Sequence, residues 1–535
     1  MSAESAQEQL MLELVNRARM NPTAEAARFG ISLNDGLAPG TISATPKQVL
    51  AMNDLLVIAS DQHSNWMLIN DQFDHNEAAT FPSGRTGFSF TDRMTAAGYG
   101  PITAGAENIA FIGQSGAIDA TAAIIDEHKG LFLSEGHRVN MLADVYREVG
   151  IGQQIGLFTQ NGFTYNASMV TQDFALSGTR FFITGVVYND TVVNDDFFSV
   201  GEQTAGRTVS TAGASSVTGA GGGYELAYTT AGAKTVTFNL AGGNIQLGVT
   251  LGSANLKVDI VNGKEVWTNA NLNVISGPVT ALHALGILSV SLTGGAGNES
   301  LFGNTAADVL IGGGGNDFLN GQGGADNMVG QDGNDTYRVD NAGDIVNEIN
   351  RTGTDTVQTT ISFKLTDTNH ARGDIENIIL LGSAGISAFG NTLANGLVGN
   401  AAGNVINAGP GNDVLVGGAG MDTLTGGRDS DAFTFNAPLL GANRDVITDF
   451  TNVAGNDDAV RLENAVMPAL GARGALNPAF FRAGAAAVDA NDHVIYNQSN
   501  GTLSYDSNGN VAGGVTLLAT LTTHPILTAA DFFVL

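Results

Sequence analysis

The chain's 535 residues exceed one ordinary domain and imply several modules. Asp and Glu total 52 against 23 Lys and Arg, a net charge of −29, which excludes nucleic acid and anionic membrane surfaces as partners and favours cations. With 43% hydrophobic and 14% charged residues the chain is no disordered polyanion, and without Cys it has no disulfide, thiolate metal site or Cys nucleophile.

The N-terminal stretch MSAESAQEQLMLEL lacks the basic and apolar regions of a Sec signal, and no run of 18 apolar residues occurs. Neither a Sec leader nor a transmembrane helix is therefore expected. Ser5 and Glu8 have capping-box spacing, followed by an apolar stripe of Leu10, Met11, Leu14, Val15 and Ala18. Residues 47–70 predict a second helix, with Ala59, His63 and Met67 stacked at i, i+4. A third runs over 117–129 and a fourth begins near His137. Residues 149–176 predict strands, so that an α/β or α+β domain of about 175 residues comes first. From Phe181 the pattern changes to short Val/Thr-rich runs between Gly and Asn turns, which predicts an antiparallel β-sandwich over 181–262. Residues 263–293 predict no placement.

From Gly294 a nine-residue unit recurs: GGAGNESLF, GNTAADVLI, GGGGNDFLN, GQGGADNMV and GQDGNDTYR, to Arg338. After strand-like residues 339–389 come GNTLANGLV, GNAAGNVIN, AGPGNDVLV, GGAGMDTLT and GGRDSDAFT, from Gly390 to Thr434. The sixth position holds Glu299, Asp308, Asp317, Asp326 and Asp335, then Asn395, Asn404, Asp413, Asp422 and Asp431; the eighth is apolar. An apolar residue every nine positions lines a core only if each unit turns the chain by a fixed angle, as in a solenoid. Glycine turns leave carbonyls unshielded, and the acid that follows adds a hard oxygen, which is a donor set for Ca²⁺. Between Gly294 and Thr434 stand 17 acidic and 5 basic side chains, a net −12, whose self-repulsion opposes folding until a cation binds.

These G-G-x-G-x-D-x-U-x units resemble the RTX (repeat-in-toxin) calcium-binding repeats. The resemblance implies two parallel β-rolls, 294–338 and 390–434, separated by a β spacer at 339–389. It places Ca²⁺ between each turn and the turn two units on, with Asp308, Asp317, Asp326, Asp335, Asp413, Asp422 and Asp431 as ligands. Glu299, Asn395 and Asn404, with Ala306, Leu393, Ala402 and Asp429 at the fourth position, mark the outer units as caps.

Five N-terminal segments resemble the CAP superfamily (cysteine-rich secretory, antigen 5, pathogenesis-related; also called SCP) in its cysteine-free bacterial form. They are ELVNRARMNP, DQHSNWMLINDQFDHN, AENIA, EGHRVNM and EVGIG, and they cover residues 1–178. The resemblance implies an α-β-α sandwich with a cleft of two His and two Glu. Carried onto this chain, these are His75, Glu107 and His137, with Glu127, or else Glu135, as the second Glu. Such a set takes a divalent metal, with Zn²⁺ on His75 and His137, or works as acid and base, or is a hydrogen-bonded polar cluster. His63, stacked with Ala59 and Met67, reads as a satisfied, half-buried residue. Two functions stay open: a binding protein recognising an extracellular lipid, glycan or surface component, and a metal-assisted hydrolase at His75, Glu107, Glu127 and His137. The chain has no H-E-x-x-H and no G-x-S-x-G, which favours binding over catalysis.

Residues 181–262 resemble the prealbumin-like (Ig-like) modules of bacterial surface proteins. Their acidic loop, with Asp190, Asn194, Asp195, Asp196 and Glu202, reads as a turn in preference to a calcium loop. Residues 440–535 resemble the β-rich segment that follows RTX repeats in serralysins and other type I secretion substrates, through DVITDFTNVAGNDDAVRL, HVIYNQSNGTLSYDSNGN and LTAADFFVL. This implies passage through a type I ABC exporter and a secreted protein, with Asp531 and the four apolar residues after it as an uncleaved signal. An ordinary final β-strand is the alternative reading of that ending.

Overall fold

In the computed structural model, which describes residues 4–77, 88–349, 351–439, 444–453 and 456–535, Ser5 and Glu8 close a reciprocal capping box. It opens helix α1 (Ala6–Met20), whose Leu10, Met11, Leu14, Val15 and Ala18 are all buried, as their spacing predicts. The chain divides into two compact units, residues 1–295 with 302–306, and residues 296–301 with 307–535.

Among the described residues the first unit begins with six helices and a four-stranded sheet. The helices are α1, α2 (Pro22–Arg28), α3 (Asp54–Ile69), α4 (Phe90–Ala96), α5 (Ala120–Leu133) and α6 (Glu135–Met141). The strands are β1 (Ala51–Met52), β2 (Ala104–Gln114), β3 (Glu148–Gln160) and β4 (Phe163–Leu176), in the order β1-β3-β4-β2. The second helix starts later than its apolar pattern suggests. Asn53 receives the amides of Leu55 and Leu56 and so sets the helix start, which leaves Ala51 and Met52 to pair with β3. The EVGIG segment explains how α3 lies so close to the sheet. A Cβ on Gly150 or Gly152 of β3 would overlap the α3 backbone at Leu56 or at Ser60 and Asp61. The apolar stripe of α1 packs with Ile124, Leu131, Phe132, Met141, Val149, Ile151, Val170 and Phe174 into one core.

The segment 181–261 holds seven strands: β5 (Phe181–Tyr188), β6 (Thr208–Thr211), β7 (Ala214–Val217), β8 (Gly223–Tyr228), β9 (Gly232–Leu240), β10 (Gly243–Leu251) and β11 (Leu256–Val261). Most pair antiparallel, but β5 and β11 run parallel, which corrects the all-antiparallel expectation. Residues 263–293 now find their place. Glu265–Thr268 forms a hairpin with β11 and then pairs in parallel with Ala281–Ala284, while Leu272–Ser276 joins β10 and then Ser291–Thr293.

The second unit is built of short parallel strands. Phe318–Asn320 pairs with Thr336–Val339 and Val309–Gly314 with Asn327–Asp332, each at an offset of 18 residues, two nonapeptides. Every eighth-position side chain, from Leu301 to Phe433, is at most 1% exposed, which makes them the core of the roll. Residues 339–389 do not separate two rolls. Thr356–Thr359 pairs with Thr336–Val339 on one side and Asn377–Leu380 on the other, and Asn377–Leu380 pairs with Gly396–Val398. One wall is therefore continuous from Phe318 to Phe435 and on through Ala459–Leu462 to Phe532–Val534. The opposite wall is split, one sheet ending at Ala371–Gly373 and another starting at Phe363–Lys364. The C-terminal segment is part of this unit, since its last strand, Phe532–Val534, pairs in parallel with Ala459–Leu462. Within DVITDFTNVAGNDDAVRL, residues 454 and 455 lie outside the described residues. Among the described residues no helix is long and apolar enough to cross a membrane.

Candidate functional site

Each turn of the roll places its sixth-position acid just before a strand, with the side chain folded back under the turn. One carboxylate oxygen is used the same way throughout. Asp317 Oδ1 receives the amide of Glu299 (2.8 Å), Asp335 that of Asp317 (2.7 Å), Asp326 that of Asp308 (2.8 Å) and Asp431 that of Asp413 (2.9 Å). Asp413 and Asp422 likewise receive the amides of Asn395 and Asn404, both at 2.7 Å. The other oxygen is left over. Oδ2 of Asp317, Asp326, Asp335, Asp413, Asp422 and Asp431 is buried without a hydrogen-bond partner. At Gly312, Asp317 Oδ2 and the carbonyl oxygen of Gly330 converge on the point that a Cβ would occupy. Buried acceptors that face each other with no donor between them are costly unless a cation joins them. The donors are carboxylate and carbonyl oxygens without nitrogen or sulfur, which suits Ca²⁺.

The ladder is longer than the nonapeptides. Asp344 receives the amide of Asp326, Asp355 that of Asp335, Glu376 that of Asp355, Asp445 that of Asp422 and Asp458 that of Asp431. None of these five was read from the repeat. Their signal is the surviving half of the unit, an acid followed by x and an apolar residue: Asp344-Ile-Val, Asp355-Thr-Val, Glu376-Asn-Ile, Asp445-Val-Ile and Asp458-Ala-Val. Only the glycine turn has been replaced.

Burial, and after it the neighbouring carboxylates, push Asp317 and Asp326 up to about 7 and Asp431 up to about 8. Unfolded carboxyls titrate near 4, so the ion-free fold binds protons more tightly than the unfolded chain. Its stability is greatest below about pH 4 and is lost as pH rises through roughly 8. In calcium-free buffer the strand signal of the roll should therefore be larger at pH 5 than at pH 8, and the reverse order would contradict the buried ladder.

The N-terminal domain gathers a second polar cluster, of different membership than expected. His75 Nδ1 lies 2.8 Å from Glu107 Oε1, and His63 Nδ1 lies 3.1 Å from Glu77 Oε1. Arg93 binds Glu107, donates to the carbonyl of His75 (3.0 Å) and lies 3.8 Å from Glu77. The hydrogen bond that His75 donates to Glu107 raises His75, whereas burial and the nearby His75 lower His137. Glu107 is pushed up by burial but pulled below its usual value by His75 and Arg93. Asp173, opposite Glu107 in the β2–β4 register, is raised well above its usual range by burial and by Glu107.

Three expectations need correction. Glu127 is not the second Glu of this cluster; it is buried near Ser168 and Gln153. Ser168 and Asp173 are an odd number of residues apart on β4, so Glu127 lies across the sheet from Glu107. Glu135 is exposed, beside Gly36. The residue that joins Glu107 is Glu77, which the sequence reading passed over. His63 is fully buried, and its Nε2 has no hydrogen-bond partner, so it is neither half-buried nor satisfied. The expectation of Zn²⁺ on His75 and His137 also finds no support, because the Arg93 guanidinium already sits between Glu77 and Glu107 and serves as their counter-charge. In the middle domain Glu202 receives the amides of Thr191, Val192, Val193 and Ser199, so the acidic loop is a structural turn.

The sequence profile of the RTX calcium-binding nonapeptide repeat matches residues 293–328, 302–337 and 398–433, so these stretches are RTX repeats and bind Ca²⁺. Two solved structures are similar to parts of the chain. An extracellular protein containing a SCP domain from Bacillus anthracis is 20% identical over 32% of this chain and 40% of its own, with a TM-score of 0.20. The extracellular lipase LipA from Serratia marcescens is 16% identical over 48% of this chain and 45% of its own, with a TM-score of 0.13. The chain thus covers under half the length of either. No curated protein matches it.

Proposed function

We propose that this is a secreted protein whose roll folds when it meets extracellular calcium and which carries an N-terminal domain that binds a surface component such as a lipid or glycan. The observation behind this is the ladder of buried carboxylate oxygens without partners, together with the match to a calcium-binding repeat. Cytosolic calcium is far below the roughly 10⁻⁴–10⁻³ M at which extracellular modules fill, so the acidic roll stays unfolded inside the cell. That suits passage through a type I ABC exporter, and outside the cell calcium holds the folded chain. Binding is preferred to metal-assisted hydrolysis because Arg93 already supplies a counter-charge to Glu107 and Glu77. The test is co-sedimentation of the full chain with phospholipid vesicles and with insoluble cell-wall polysaccharide, in millimolar Ca²⁺ and in EGTA. Calcium-dependent retention on one of them supports the reading; equal partitioning on every support in both buffers overturns it.

A further inference from the structure

The first irregular turn of this column brings in a further carboxylate. Asp317 and Asp335 stand 18 residues apart, but the next acid of that column, Asp355, comes 20 residues after Asp335. Glu348 occupies the place that Gly312, Gly321 and Gly330 hold as the first residue of their units. A side chain therefore enters a space the regular turns leave to backbone. Among the described residues, Asp335, Glu348 and Asp355 form a group whose ligand oxygens all lie within 4.8 Å of one another. An ion bound to oxygens at about 2.3–2.6 Å spans such a gap.

Other observations point to a ligand here. Asp335 and Glu348 are each 1% exposed, and Asp335 Oδ2 and Glu348 Oε2 have no hydrogen-bond partner. The Tyr337 hydroxyl is also buried without a partner. It and Asp335 Oδ2 converge on the point that a Cβ of Gly330 would occupy, while the Gly330 amide donates to Glu348 Oε1 (3.3 Å). Arg351, whose charge attracts Glu348, is exposed.

We propose that Asp335, Glu348 and Asp355, with the Tyr337 hydroxyl beside them, form a divalent-cation site, filled by Ca²⁺, in which Glu348 supplies a side-chain ligand that the glycine at this place in the nonapeptides cannot supply. Glu348 and Asp355 lie beyond residue 337, where the first stretch of RTX repeat ends. The proposal rests on the calcium reading of the roll. Calcium affinity rises with the number of charged ligands, and among the described residues no other three carboxylates bring their ligand oxygens within 4.8 Å of one another. This is the tightest site of the roll and the one that fills first.

The experiment uses the full chain, with calcium titrated by calorimetry and Tb³⁺ by luminescence excited through tyrosine. Wild type should show a first ion whose luminescence is sensitised by Tyr337. Glu348→Gln should weaken that ion at least tenfold, and Tyr337→Phe should dim its emission while leaving the later ions unchanged. Glu348→Gln should also lower the melting temperature in calcium, by an amount that shrinks as calcium is raised from micromolar to millimolar. A merely structural Glu348 would give a loss that does not depend on calcium. If wild type takes up no calcium, the calcium reading itself fails. If wild type binds normally and Glu348→Gln leaves the first ion untouched, the proposed site is wrong. Tyr337→Phe decides the matter on its own if Glu348→Gln does not fold, because undiminished first-ion emission overturns the site.

Discussion

Withdrawing calcium from the full chain should abolish the strand structure of the roll. Each ion present at tenfold its dissociation constant stabilises the folded state by about 1.4 kcal/mol. Six of them, one for each unpartnered aspartate oxygen described above, give about 8 kcal/mol, as much as the whole stability of an ordinary domain. Without calcium the buried carboxylates repel and each unpaired oxygen keeps its desolvation cost. Far-UV circular dichroism in EGTA should show a large loss of strand signal that returns with millimolar Ca²⁺. Identical spectra would sink the idea. The continuous wall adds a sharper expectation. Asp317→Ala and Asp413→Ala, one from each stretch of nonapeptides, should both shift the calcium midpoint of a single transition, where two independent rolls would give two.

The second large effect is expected at Lys257. Its ammonium is buried, 2.8 Å from Glu13 of α1 and in contact with Asp259 of β11. It joins the helical domain to the β-domain inside the first unit. Lys257→Ala should cost about 3–5 kcal/mol, because two buried carboxylates lose their counter-charge. Trp267 lines the same cavity of about 200 Å³ and provides the fluorescence signal for a denaturant titration. A loss below about 1 kcal/mol would mean that water reaches the cluster and that the pair behaves as a surface bridge.

The parts legible in the sequence were those with a period. The nine-residue repeat yielded the buried eighth position and the orphaned aspartates, and the 3.6-residue period yielded α1 with its cap. Where the glycine turns were replaced, at 339–389 and after Thr434, the period vanished although the pairing persisted. Turn length varies freely so long as each turn returns an acid, a spacer and an apolar residue to the wall. The N-terminal cluster was half legible. Glu77 and Arg93 come to His75 and Glu107 only through tertiary packing, and no local spacing announces them. His63 was misjudged because its helical face is indeed buried, but against a carboxylate, and its second nitrogen finds no partner.

The amide-to-carboxylate ladder also has a direction. Each acid accepts from the turn before it and offers its own amide to the turn after it. The last turn of such a stack would therefore end in open donors. The amides of Asp422 and Asp431 are received by Asp445 and Asp458, from the segment after the recognised repeats. The stack is polar, like a filament with unlike ends, and the residues after Thr434 act as its terminator. A roll cut at the edge of its nonapeptides would be left with frayed donors at its growing tip.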